Sequence, residues 1–252
     1  TIYSTNFLII ININNIFHII VKYIMKKVIS FCIYGNSSKY CLGAIENAQD
    51  IREKYPDWIV YMYYNNVPTG ILDVLKEYGC KLIPYDSKNS PCIGMFYRFL
   101  PLHDETVDLW ISRDCDSRIS QREMDLVEQW IQSGKMFHVI RDHPYHGITI
   151  LGGTFGINNR VFNSQYSIKI VDFIEKYYEQ SKGLLKGPDQ KFLVRDMWPL
   201  IKDDHMAHIS CSNVRFHEDD IFIQPVSRHV GRNIAANDET IIKYGGLLKN
   251  TT

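Results

Sequence analysis

Two acids one residue apart, Asp114 and Asp116, stand where a short apolar run stops. Val107, Leu109, Trp110 and Ile111 lead directly into Ser112-Arg113-Asp114-Cys115-Asp116-Ser117-Arg118. Apolar residues that end abruptly at acids read as a buried strand whose C-terminal end opens onto a site, the edge where open α/β sheets bind ligands. If the chain turns there, both carboxylates converge on one hard cation, because a divalent metal takes oxygen ligands and leaves positions for phosphate. Asp114 and Asp116 are therefore the candidate metal clamp, the plain alternative being a loop with two solvated acids. Oxygen ligation favours Mn²⁺ or Mg²⁺ over zinc, and no Cys/His set here has zinc spacing.

Other residues carry chemistry at a distance in sequence. Arg98 lies among Met95, Phe96, Phe99 and Leu100, so a helix there buries one side and its guanidinium can fork onto a carboxylate such as Asp114 or onto a ligand; a surface arginine is the alternative. Arg141-Asp142-His143-Pro144-Tyr145-His146 concentrates polar groups able to bind a ligand, with Asp142 the best candidate and the histidines equally readable as loop residues. Gly152 and Gly153 lack side chains, so a ligand can approach their backbone, although a β-bulge explains them too. Asp189 and Gln190 follow Gly187-Pro188 at a helix start, where an acid also serves as a cap.

The elements that must position these groups alternate. Residues 28–34 read as a strand, 39–55 as a helix with apolar positions at Leu42, Ile45, Ala48 and Ile51, 58–64 as a strand, 68–78 as a helix closed by Gly79, and 81–85 as a third strand. Residues 94–102 read as helical, and Ser120 opens a helix with capping-box spacing to Glu123 that ends at Ser133-Gly134. Strands are expected at 136–141 and 148–153, and helices at 164–180 and 189–200. The leading βαβαβ order predicts right-handed parallel crossovers. Past Met206 the segments are short and mixed, which suits a tail folded back over a site.

Taken together these residues resemble nucleotide-sugar glycosyltransferases of the GT-A fold, most closely the retaining family 8 type that contains glycogenin and bacterial galactosyltransferases. The resemblance rests on the turn Tyr34-Gly35-Asn36-Ser37 after the first strand, on Met95-Phe96-Tyr97-Arg98-Phe99-Leu100, on Asp114-Cys115-Asp116, on Ile150-Leu151-Gly152-Gly153-Thr154-Phe155-Gly156 and on Gly187-Pro188-Asp189-Gln190. It implies one GT-A-like α/β domain over residues 25–252, with a mainly parallel central sheet flanked by helices. It further implies transfer of a sugar from a nucleotide diphosphate sugar to a hydroxyl on a glycan, protein or small molecule, with Mn²⁺ or Mg²⁺. In that reading Asn36, Tyr40, Arg98 and Asp114 hold the donor, and Asp142, Gly152 and Gly153 meet the sugar. Asp189 and Gln190 face the anomeric carbon, and Asp114, Asp116 and His229 hold the metal, with His217 the alternative histidine. The glycine pair stands where relatives often carry an Asn, and only His229-Val230-Gly231 remains of a longer closing pattern. Two rivals stay open: a nucleotidyltransferase, for which Gly35-Asn36-Ser37-Ser38-Lys39 is a poor phosphate loop, and a noncatalytic sugar-binding module.

Composition bounds the partners. Lys plus Arg and Asp plus Glu are 28 each in 252 residues, so no overall field draws the chain to nucleic acid or to an anionic membrane. The six cysteines form no Cys-x-x-Cys pair and read as free thiols in a reducing, cytoplasmic setting. Residues 1–24 are rich in Ile and Asn, and their apolar run is too short and too broken by amides for stable membrane insertion; an interfacial anchor is the minor alternative. Met25-Lys26-Lys27-Val28 looks like an ordinary start, which sets 1–24 outside the fold as a leader or upstream-translated segment. A chain beginning at Met25 is accordingly expected to melt within about 2 °C of the full chain, a shift equivalent to roughly 1 kcal/mol or less; a large fall in melting temperature would overturn that boundary.

Overall fold

A computed structural model describes residues 25–86, 93–181 and 187–249 of the chain. Residues 1–24 and Cys92 lie outside that range, so the leader boundary and that cysteine are not addressed by it. The strands are β1 (Lys27–Tyr34), β2 (Trp58–Asn65), β3 (Lys81–Pro84), β4 (Leu109–Arg113), β5 (Phe137–Arg141), β6 (Thr154–Asn158), β7 (His205–Ile209) and β8 (Ile221–Phe222). They form one sheet in the order β3-β2-β1-β4-β6-β5-β7-β8. β6 runs antiparallel to both of its neighbours, β4 and β5, while the other pairings are parallel.

The central strands show why the sheet sits inside. β4 is buried along its whole length, and Val28, Ile29 and Phe31 of β1 are fully covered. Strands covered on both faces read as continuous apolar runs rather than alternations. On one face Val28, Trp110, Phe137 and Phe155 pack with Phe96, Phe99 and Phe192; on the other Ile29, Phe31 and Ile111 pack with Leu42, Ile45 and Trp130. The first face is covered by α3 (Gly94–Tyr97), α6 (Ile170–Ser181) and α7 (Pro188–Phe192), the second by α1 (Ser38–Lys54) and α4 (Gln121–Ser133). α2 (Thr69–Glu77) and α5 (Asn159–Gln165) complete the flanking layers. The Ser120 hydroxyl accepts from the Glu123 amide and Gly134 closes α4 at φ 68°, as the capping-box reading expects. Among the described residues no helix is long and apolar enough to cross a membrane.

Four elements differ from their sequence-based outlines. The strand expected at 148–153 begins instead at Thr154: the chain turns at 151–154, where the Thr154 amide bonds the Leu151 carbonyl at 3.2 Å, and the apolar Ile150 buries without joining the sheet. The helix expected at 164–180 is two, because α5 stops at Gln165 and Tyr166 turns extended, its hydroxyl on the Leu200 carbonyl at 2.8 Å. The helix expected at 189–200 widens into a π turn over Leu193–Met197, just before Pro199, which has no N–H to donate to the regular ladder. α3 stops at Tyr97 and tightens into a 3₁₀ turn at Leu100–His103.

α1 lies hard against the turn that carries the two acids. A Cβ on Gly43 would sit 2.1 Å from the Cys115 carbonyl oxygen and 2.9 Å from Arg118 Nη1. From the next turn of α1 Asn47 donates to the Ser117 carbonyl at 2.8 Å and accepts from the Ile119 amide at 3.1 Å. Gly43→Ala must push helix or turn aside, an overpacking cost of about 1–3 kcal/mol. The expected melting temperature is lower by roughly 2–10 °C, while Gly147→Ala, with nothing near its Cβ position, melts like the parent.

The second covered face also holds a histidine pair. His138 is fully buried and its Nε2 meets His208 Nδ1 at 2.9 Å, with Gln129 Oε1 3.3 Å from the far side of His208. Burial holds His208 down to about 4 and His138 well below its ordinary value, the latter reinforced by His208 and Arg113. Both rings are neutral in the folded chain while the unfolded chain takes up protons below about pH 6.5, so stability is complete above that pH and is lost as pH falls toward 4. The expected loss is roughly 2–3 kcal/mol from His208 alone. A thermal-melting profile should show it, with a shallower acid limb in His208→Gln; equal limbs would remove the pair as the cause.

Candidate functional site

The C-terminal end of β4 and the start of α7 meet at a buried arginine. Arg98 is 5% exposed, and its Nη1 pairs with Asp114 Oδ1 while its Nη2 donates to Asp189 Oδ2 at 3.0 Å. Burial disfavours its charge, but Asp114 and Asp189 outweigh that and raise its pKa further. Asp189 is 4% exposed; its carboxyl is raised by burial, with Arg98 pulling the other way. Asp114 is half exposed at its side chain. The arginine thus bridges one open and one enclosed carboxylate.

Gly152 and Gly153 pass over this cluster with almost no clearance. A Cβ at Gly152 would stand 2.4 Å from Arg98 Nη2 and 3.1 Å from Asp189 Oδ2, and one at Gly153 would stand 2.0 Å from Asp114 Oδ2. The pair's glycine requirement therefore comes from the charged side chains beneath as much as from anything above. Gln190 fixes the same loop: its Oε1 accepts from the Gly152 amide at 3.2 Å and its Nε2 donates to the Ile150 carbonyl. With both ends of its amide spent on the 150–152 backbone, Gln190 shapes the wall rather than reaching into the space before it. The Ser112 hydroxyl, donating to the Gly152 carbonyl at 2.6 Å, secures the loop from β4.

These groups line a cleft of about 420 Å³ that includes Arg98, Asp114, Gly152, Gly153, Asp189 and Gln190, with Met95, His146 and Gly231 at its sides. Asp116 takes a different environment. Lys39 Nζ stands 2.8 Å from its Oδ2, Asn233 Nδ2 3.1 Å from the same oxygen, and the Ile234 amide bonds its carbonyl at 2.8 Å. The chain's tail does return to the site, as Ile234 and Asn233 show.

Five expected site residues are placed elsewhere. Asp142 is 2% exposed, with Arg122 forked onto both carboxylate oxygens at 2.9 Å and the Val230 amide on Oδ2 at 3.0 Å; it anchors the tail and is not presented to the cleft as a sugar contact. His229 does not complete a ligand set with Asp114 and Asp116: its ring packs on His143 at 4.2 Å between centroids and lies 5.4 Å from His146, and among the described residues no group of three or more His, Cys, Asp and Glu is arranged to hold a metal. His217 packs on His205 instead, 5.2 Å away. Asn36 and Tyr40 are exposed on the turn and first helical residues after β1, and neither is among the cleft-lining residues. His229 also borders a second cavity of about 610 Å³ with Arg118, Arg228, Arg232 and Asn233.

Sequence reasoning missed Lys39, Asn233 and Arg122. Only Lys39 had a local signal, since it sits in the first turn of α1, where the helix dipole disfavours a cation. The two carboxylates fit a hard divalent cation in their chemistry: among the described residues no side-chain hydrogen bond is made to Asp114 Oδ2 or Asp116 Oδ1. Cys32, Cys41, Cys80, Cys115 and Cys211 are free thiols, and burial pushes Cys32 and Cys80 up to about 12.

No protein-family model and no curated protein matches the sequence. Solved structures match in shape. Galactosyltransferase LgtC, in complex with donor and acceptor sugar analogues, aligns over 90% of this chain and 96% of its own with a TM-score of 0.51 at 14% identity. Glycosyltransferase GlyE of Streptococcus pneumoniae aligns over 73% of this chain at 17% identity with a TM-score of 0.48, and the chain spans 45% of its length. A 4-diphosphocytidyl-2C-methyl-D-erythritol synthase from Anaerococcus prevotii gives 0.45 at 10% identity over 89% of this chain and 99% of its own. The last two scores are too low to bear on the architecture. The full-length likeness to LgtC, together with the mixed, mostly parallel eight-stranded sheet and its flanking helices, shows that the chain has the GT-A fold.

Proposed function

We propose that the chain is a metal-dependent glycosyltransferase that moves a sugar from a nucleotide diphosphate sugar to a hydroxyl acceptor. The observation that carries this reading is the convergence of Arg98, Asp114 and Asp189 under Gly152 and Gly153, at the sheet edge where this architecture binds ligands. Asp114 and Asp116 would hold Mn²⁺ or Mg²⁺, which when bound neutralises the negative charge that grows on the diphosphate leaving group. Arg98 fixes Asp114 and Asp189 relative to one another, so the chain carries their spacing into the cleft before any ligand arrives. Asp189 sets a carboxylate at the cleft wall, suited to a sugar whose anomeric carbon gains positive charge. The backbone of Gly152 and Gly153 receives the sugar, and Gln190 keeps that backbone in place. Asn36 and Tyr40, on the exposed turn beside Lys39, are the nucleoside contacts in this reading.

The test is thermal stabilisation across a panel of nucleotide sugars with and without Mn²⁺, followed by turnover. A ligand at 100 times its Kd stabilises by about 2.7 kcal/mol, or roughly 5–10 °C here. Asp116→Asn keeps volume but removes charge, and its fold should be intact, so it is expected to lose the metal-dependent part of that shift and at least about tenfold in turnover. Metal-dependent turnover like the parent's in that variant would defeat the metal assignment. Release of pyrophosphate from a nucleoside triphosphate in place of sugar transfer would point to a nucleotidyltransferase, and metal-dependent binding without hydrolysis or transfer to a noncatalytic sugar-binding module.

A further inference from the structure

Lys39 is the feature of the cleft's surroundings that the glycosyltransferase reading leaves unused. Its ammonium lies 2.8 Å from Asp116 Oδ2 and 5.1 Å from the centroid of the neighbouring Tyr40 ring. The Lys39 side chain is 39% exposed and that of Asp116 19%. Both can therefore change partner without disturbing the core. Asp114 is neutralised by a guanidinium locked in the interior, whereas Asp116 is neutralised by a flexible ammonium at the surface.

The local charge count gives the pairing a consequence. Asp114, Asp116 and Asp189 bring three negative charges and Arg98 and Lys39 two positive ones. A divalent cation arriving alone meets two carboxylates already paired, and one of its prospective ligands is held by a like charge a hydrogen bond away. A nucleoside diphosphate changes that balance, since it brings further negative charge for Lys39 to bind and phosphate oxygens for the cation. The position of Lys39 in the first turn of α1 points the same way: a cation there opposes the helix dipole, and Asp116 offsets the mismatch only while it is held.

Resting on the metal-dependent reading above, we propose that Lys39 is a displaceable counter-ion on Asp116 that keeps the cation site closed until a nucleoside diphosphate draws it away, so that the metal enters with the nucleotide. In the free protein Lys39 holds Asp116. In the loaded protein it turns to the diphosphate, and Asp116 is freed for the cation.

The experiment is a titration of the full chain with Mn²⁺, following free Mn²⁺ by electron paramagnetic resonance, first alone and then with UDP, GDP or CDP in turn. The parent is expected to bind Mn²⁺ weakly alone and at least about tenfold more tightly with the nucleotide that it accepts. Lys39→Met is expected to bind Mn²⁺ alone about fivefold more tightly, the upper range for loss of a half-exposed ion pair, and to gain less from the nucleotide; Lys39→Arg should behave like the parent. Asp116→Asn should bind weakly in both states, and circular dichroism establishes that each variant is folded. Nucleotide-dependent Mn²⁺ binding in the parent with no tightening in Lys39→Met overturns the counter-ion role and leaves the metal reading standing. Absence of Mn²⁺ binding to the parent under every condition overturns both.

Discussion

A guanidinium taken out of water must be paired, and Arg98 is the group on which the rest of the site depends. Its charge is sustained only because Asp114 comes from the end of β4 and Asp189 from the start of α7. Removing one partner of such a buried pair leaves an uncompensated charge and costs about 3–5 kcal/mol. The requirement therefore fixes three separate elements at one point. Phe96 and Phe99 flank Arg98 in sequence, and both bury in the core beside Phe192 of α7, so the aromatic packing and the ion pairs hold the same junction.

A second buried pair repeats the device on the other face of β4. Arg113 and Glu123 are both fully buried and bonded to one another, tying β4 to the first turn of α4, and burial lowers Arg113 to about 9. The two pairs flank the turn carrying the acids, since Arg113 precedes Asp114 in the chain. Gly43 and Asn47 of α1 close on the far side of the turn, and Arg118 adds bonds to the Cys115 and Ser117 carbonyls at 3.2 and 3.0 Å. The loop at the sheet edge is thus a rigid part of the structure, which suits a constellation that must be preorganised.

Much of this was legible in the sequence because it obeys local rules. The β-branched and aromatic runs and the helical spacings of residues 28–85 return as β1 to β3 with their helices, and the break from apolar residues to acids at Asp114 is the end of a fully buried strand. Arg98 was legible only in part: an arginine among aromatics can fork onto a carboxylate or stay at the surface, and it was the resemblance that favoured the buried pair. Other features were not, and each fails for a reason of its own. Asp142 has the composition of a ligand-binding loop, but its partners Arg122 and Val230 lie 20 and 88 residues away, and nothing local announces that both oxygens are spent. Gly152 and Gly153 read as a place for backbone to approach a sugar; the side chains that demand them, Arg98, Asp114 and Asp189, come from three other elements. His229 has a suitable type and neighbourhood, yet its ring packs tilted on His143, a partner 86 residues away that nothing local announces.

The two acids of one short motif are in this way held by different kinds of partner. Asp114 answers to a guanidinium whose position is set by core packing, so its geometry is as fixed as the sheet. Asp116 answers to Lys39 at the start of α1 and to Asn233 on the tail, both of them side chains that reach the surface. An exposed ion pair is worth at most about 1 kcal/mol and a buried one several times that to break. A rearrangement at the site therefore falls on Asp116 and on the elements that hold it, the first turn of α1 and the returning tail, while Asp114, Arg98 and Asp189 stay as they are. Geometry is set by the buried half of the motif, and access by the exposed half.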